Sequence, residues 1–197
     1  MVKISHLQKI HSLKSYRNAC RVVKQLENYT SVSFHNKHKV IYLNKAGREL
    51  IGSDKEVKKT AIMDHMLYCN EAYIDLNCPI DWRREVPFVI STSKPSSLEI
   101  KVIGLSRTAV AEKRIIADAS FSRNGYEYMV EIDNTRTMLD NAKKMNAYSE
   151  LFRMRGKVCK LLIYTTTDDR KRKFEKMILE GKMMGEVKTF KEIQLPS

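Results

Sequence analysis

RIIADASFSRNGYEYMVEIDNT occupies residues 114–135 of a 197-residue chain. It divides into two strand-like runs, Ile115–Ser122 and Tyr126–Ile132, around Arg123-Asn124-Gly125, and Asn-Gly between apolar runs is a strong hairpin signal. Asp118 sits inside the first run, while Glu131 and Asp133 end the second. Two positions apart on a strand, Glu131 and Asp133 share one face, and an antiparallel register brings Asp118 within their reach. Carboxylates gathered on one sheet edge repel one another and persist where a cation or a hydrogen-bonded cluster compensates them. Hard oxygen ligands of this kind suit Mg2+, which can activate water and steady a transferring phosphate. The same acids also fit strand ends in solvent, paired with Arg114, Arg123 or Arg136.

Working outward, Glu85–Ile90 and Leu98–Ile103 read as further strands and KVCKLLIYTT (157–166) as a buried one. Asp168 is placed to cap a following helix, DRKRKFEKMILEGK, whose Lys171, Arg172, Lys173 and Lys176 form either a phosphate-contacting surface or a solvated face. KAGRELIG (45–52) and residues 56–76 read as helices, the second with an amphipathic stripe through Val57, Ala61, Met63 or Asp64, Leu67 and Ala72. LNCPIDW (76–82) and STSKPSS (91–97) have loop composition. The class predicted is α+β, with a mixed-sheet α/β module over residues 55–197.

The first 54 residues have a different character. A short helical pattern at 4–11 is followed by Ser15, a good N-cap, and by a helix with Ala19, Val22, Val23 and Leu26 on one stripe. Its other face carries Tyr16, Arg17, Asn18, Arg21 and Lys24. Strands at Val32–Phe34 and Val40–Tyr42 then flank a basic tip, His35 to Lys39, which includes Lys37. Two short helices and a hairpin in this order predict a winged helix-turn-helix, with helix side chains in the major groove and Lys37 and Lys39 on the phosphate backbone. The helix that ordinarily precedes such a pair has no counterpart before Ile4: either the chain is shortened relative to its relatives, or a partner or a later helix supplies that packing. A solvated basic helix beside an ordinary hairpin fits the same residues.

Charge follows this division. The chain holds 36 Lys+Arg against 23 Asp+Glu, a net +13. Residues 1–60 carry +9, residues 61–152 carry −2 and residues 153–197 carry +6. Basic ends around an acid-leaning middle fit double-stranded DNA as a partner, although a generally basic soluble surface gives the same sum. With 43% hydrophobic residues the chain has enough to build a core. Charges interrupt every apolar run short of the roughly 18 residues of a spanning helix, and residues 1–13 lack a secretory h-region. A cytoplasmic protein is expected. Cys20, Cys69, Cys78 and Cys159 are scattered, without zinc-ligand spacing, and read as small apolar side chains.

YLNKAGRELIG (42–52), His65, Asn70-Glu71, Glu85 after Trp82, the 114–135 stretch and KKMNAYSELF (143–152) together resemble the replication-relaxation family of plasmids and phages, over roughly residues 4–165. That resemblance implies a role in plasmid replication on a mobile element. The central stretch also resembles the PD-(D/E)XK nuclease core, in which an Asp on one strand and a Glu on the next hold a metal and a Lys two residues on positions the attacking water. Asp118 and Glu131 match the two acids. Asp133 stands where the Lys belongs, Ala117 stands where a Pro precedes the first acid, and Lys143 or Lys144 on the following helix is the available substitute. The leading expectation is a DNA-binding accessory or regulatory protein with an inactive nuclease-like module. The alternatives are a Mg2+-dependent endonuclease or nickase, using Asp118, Glu131, Asp133 and Lys144, and a dimeric transcriptional repressor. Partners expected besides DNA are a second copy and replication or other mobile-element proteins.

Overall fold

The computed structural model describes residues 1–56, 62–91, 112–134 and 136–193. The predicted strand Leu98–Ile103, most of the 91–97 loop and the helical stripe's Val57 and Ala61 lie outside them. The chain is mixed α+β with two sheets.

The first sheet is built from β1 (Val2–Lys3), β2 (Thr30–His35) and β3 (His38–Leu43), in the order β1-β3-β2. Between β1 and β2 run α1 (Ile4–Ile10) and α2 (Tyr16–Gln25), the latter capped by Ser15, whose hydroxyl accepts from the Asn18 amide. The β2–β3 turn is tighter than the sequence predicts. His35 pairs with His38, leaving only Asn36 and Lys37 in the loop, both at positive φ (46° and 65°) as a two-residue hairpin of matching twist requires. Asn44 caps α3 (Lys45–Leu50), where Gly47 is demanded by space: a Cβ there would stand 2.1 Å from the Tyr29 carbonyl oxygen.

One face of this sheet packs Ile41 against Ile4, Ala19 and Val23 of α1 and α2. The other packs Val40 against Met63 and Leu67 of α4 (Met63–Asp75). A later helix therefore supplies the packing that the sequence left open. Polar ties reinforce it: Lys3 Nζ lies 2.5 Å from Glu71, Asn70 donates to the Met1 carbonyl at 2.8 Å, and His35 meets Asp64 at 2.5 Å.

The second sheet runs β4 (Arg83–Ser91), β5 (Glu112–Arg123), β6 (Tyr126–Asp133), β7 (Cys159–Thr165) and β8 (Gly185–Thr189), neighbours in chain order. β4, β5 and β6 form an antiparallel meander; β7 and β8 continue parallel to β6 through α5 (Met138–Arg155) and α6 (Asp168–Glu180). The β5–β6 turn is again two residues, Asn124 and Gly125, since Arg123 pairs with Tyr126. Thr167, not Asp168, caps α6: its side chain accepts from the Arg170 amide, and Asp168 becomes the first helical residue, where its charge suits the helix dipole. α5 and α6 cover one face, with Tyr148, Leu151 and Phe174 against Met129, Leu161 and Ile163. α4 and α7 (Phe190–Ile193) cover the other, with Cys69, Ala72 and Phe190 against Phe121, Val130 and Tyr164. α4 is thus core to both sheets.

The β5–β6 ladder stops at Ala119–Val130, whereas the β4–β5 ladder continues to Ser91–Glu112. Across this point alternation breaks: Ala119 and Phe121 belong to the core under α4, but Ala117 and Ile115 to the core under α5. Glu85, beside the break on β4, has φ 52°. The strands fork at Asp118.

Candidate functional site

The fork gives Asp118 its geometry. Where the ladder ends, its Oδ2 accepts from the Ile132 amide at 2.7 Å, replacing the lost backbone partner. Its Oδ1 faces His65 Nε2 of α4 at 3.3 Å. Burial opposes ionisation of Asp118, but the His65 hydrogen bond, the Lys144 charge and the Ile132 amide outweigh it and lower the pKa. The same hydrogen bond, helped by Cys69, pushes His65 up to about 10, so imidazolium is the form that faces the acid at neutral pH.

Glu131 lies across the fork on β6 and is buried. Lys144 Nζ donates to its Oε2 at 2.6 Å, and the Tyr148 hydroxyl donates to its Oε1 at 2.5 Å. Burial and the nearby Asp118 charge push Glu131 up to about 7, against Lys144 and Tyr148, which favour the carboxylate. Arg136, with 44% of its side chain exposed, reaches within 3.9 Å of Glu131 Oε2, the oxygen that Lys144 holds. Of the two lysines available on α5, Lys144 reaches the acids; Lys143 points away and sits 3.8 Å from Asp140.

Asp133 shares the Glu131 face, as alternation predicts, and both line one small cavity with Arg136 and Lys144. Its partners differ. Arg170 of α6 grips it through Nε and a terminal nitrogen at 2.5 and 2.6 Å, Thr165 donates at 2.7 Å and Asn141 at 2.8 Å. This is a saturated, bidentate pair that ties α6 to β6 and β7.

The structure thus brings together Asp118, Glu131 and Lys144, and holds Asp133 on a separate cation. For a Mg2+ ion the fit is poor: each oxygen of Asp118 and Glu131 already meets a protein donor, and among the described residues no three His, Cys, Asp or Glu side chains stand close enough to hold a metal. Sequence alone offers Arg136 as a partner for these acids, and the structure places it beside Glu131, whereas His65 enters only within a family string and Tyr148 and Arg170 have no assigned role. For His65, Tyr148 and Arg170 the signal is three-dimensional, since each comes from a helix remote in sequence from the acid it meets.

On the N-terminal module, Arg17, Arg21 and Lys24 are exposed along one line of α2 at i, i+4 and i+7, beside half-exposed Tyr16. Arg21 also donates to Asn18 Oδ1 at 3.0 and 3.3 Å, which holds both side chains in place. Lys37 and Lys39 are exposed at the hairpin. The basic run of α6 behaves otherwise. Lys171 pairs with Glu192, Arg172 and Lys173 with Asp169, and Lys176 with Glu180, so the second phosphate surface read from composition is met by the protein's own acids. No helix among the described residues is long and apolar enough to cross a membrane. All four cysteines are free, Cys69 and Cys159 buried.

No curated protein matches the chain. No solved structure matches it either. The replication-relaxation family model matches residues 3–162, most of the chain and all of the fork with its flanking helices, and the chain therefore belongs to the replication-relaxation family.

Proposed function

We propose that the protein is a duplex-DNA-binding accessory factor of plasmid or phage replication, in which a winged helix grips DNA and a nuclease-like module no longer cuts it. Family membership supports a role in replication or DNA processing. The observation that carries the DNA-binding part is the order β1-α1-α2-β2-β3, in which β1 completes the hairpin sheet, α4 closes the core, and the second helix of the pair bears a cationic line without a single acid. Arg17, Asn18, Arg21 and Lys24 are assigned to the major groove and Lys37 and Lys39 to the backbone.

The second module supports the nuclease resemblance through its order, α4, an antiparallel meander, α5, then a strand parallel to β6, with Asp118 on the middle strand and Glu131 on the next. Its acids are neutralised by His65 and Lys144 instead of facing an open cation seat. One observation favours the endonuclease reading: Lys144 meets Glu131 where a water-orienting lysine would be needed. Supercoiled plasmid incubated with the protein, with and without Mg2+, separates the two. Retardation without nicking is expected. Nicking that requires Mg2+ and disappears in Glu131→Ala would establish the enzyme, and failure to bind duplex DNA in dilute buffer would end the DNA-binding assignment.

A further inference from the structure

On the outer strand of the first sheet, β2, two apolar side chains have no core to enter. Phe34 is 70% exposed and Val32 51%. Val32 pairs across the ladder with Ile41 and Phe34 with Lys39, so both stand on the face whose Ile41 packs against Ala19 and Val23 of α2, one strand further out. They flank the basic turn: Lys39 is directly opposite Phe34, and Lys37 is at the tip. A single exposed apolar residue is ordinary, but a phenylalanine and a valine side by side on an edge strand form a sticky surface that proteins normally avoid unless something covers it.

Charge selects the occupant. The patch lies within the segment that carries +9, beside Lys37 and Lys39 and on the α2 side of the sheet. A second copy would bring the same positive field against it. Duplex DNA offers phosphates for the lysines and, between them, sugar and base surface for an aromatic ring. We infer that Phe34, backed by Val32, is an apolar wedge that enters a groove of bound duplex DNA and partly unstacks a base step, while Lys37 and Lys39 hold the flanking phosphates. This rests on the DNA-binding reading above and adds to it a deformation of the DNA, which favours easily unstacked pyrimidine–purine steps.

The test uses the full chain and a duplex of about 30 base pairs carrying 2-aminopurine at TA steps. Anisotropy measures affinity across a salt series, and 2-aminopurine emission reports unstacking. Phe34→Ala is expected to weaken binding roughly tenfold and to abolish the rise in emission, with the slope of log affinity against log salt unchanged. Lys37→Ala should instead reduce that slope by about 0.9 while leaving the emission rise in place at saturation. Because Phe34 is largely exposed, the variant's thermal melt should match wild type and exclude misfolding. Wild-type affinity and emission in Phe34→Ala would overturn the wedge and leave DNA binding standing; no binding by wild type would remove both. A wild-type dimer in light scattering that Phe34→Ala converts to monomer would assign the patch to a second copy and overturn the proposal.

Discussion

α2 and α6 are both short basic helices, and the chain uses them in opposite ways. α2 exposes Arg17, Arg21 and Lys24 from a ten-residue helix that contains no acid. α6 interleaves its cations with Asp168, Asp169, Glu175 and Glu180; Asp169 meets Arg172 and Lys173, Glu180 meets Lys176, and Arg170 turns inward onto Asp133. Net charge does not distinguish a helix that can grip a polyanion from one already satisfied by its own side chains. The spacing of opposite charges does.

The largest effect that sharpens this contrast belongs to Arg170. Arg170→Ala leaves the buried Asp133 carboxylate without its cation and should cost about 3–5 kcal/mol in urea unfolding, with no loss of DNA affinity per folded molecule. Arg21→Ala should do the reverse: folding stability within about 0.5 kcal/mol of wild type, but DNA binding weaker by about 1–3 kcal/mol. If instead Arg21→Ala unfolds the protein, α2 is a structural helix like α6 and the contrast collapses.

A third prediction concerns pH. Glu131 has its pKa raised in the folded protein, so its contribution to stability falls as pH rises from about 4.5 to about 7. His65 is also raised, to about 10; its contribution is complete below about 6.5 and is lost as pH climbs through about 10. Urea melts across pH should therefore fall in two stages. His65→Ala should flatten the upper stage and keep the lower, and an unchanged upper stage would show that His65 carries no charge-dependent contact with Asp118. The smallest effect is expected on α6, where Lys173→Ala and Lys176→Ala remove exposed pairs: stability shifts of about 0.5 kcal/mol or less, and a DNA salt slope equal to wild type.

Much of this architecture is legible in the residues. Asn124-Gly125 announces its hairpin, Ser15 its helix, and the two-residue spacing of Glu131 and Asp133 their common face. The fork is not, because a strand pattern of alternating side chains gives no sign that Ala117 and Ala119 enter different cores. Spacing by itself does not separate Glu131 from Asp133, although the nuclease resemblance does: both are carboxylates at a strand end, and their physical difference is the arrival of Lys144 from α5 at one and Arg170 from α6 at the other. β8 and α7 were missed because GEVKT and FKEI are too short and too polar to announce themselves. Their identity comes from the neighbour they pair with or pack on.

Because α4 lends Leu67 to one sheet and Ala72 to the other, neither half of the molecule owns a finished interior. Expressing residues 1–54 by themselves would strip the Val40 side of its cover and yield an insoluble fragment, and heating the intact chain should produce one calorimetric peak in place of two. The cationic line of α2 and the acids at the fork would then rise and fall as a single body, joined along the length of one helix.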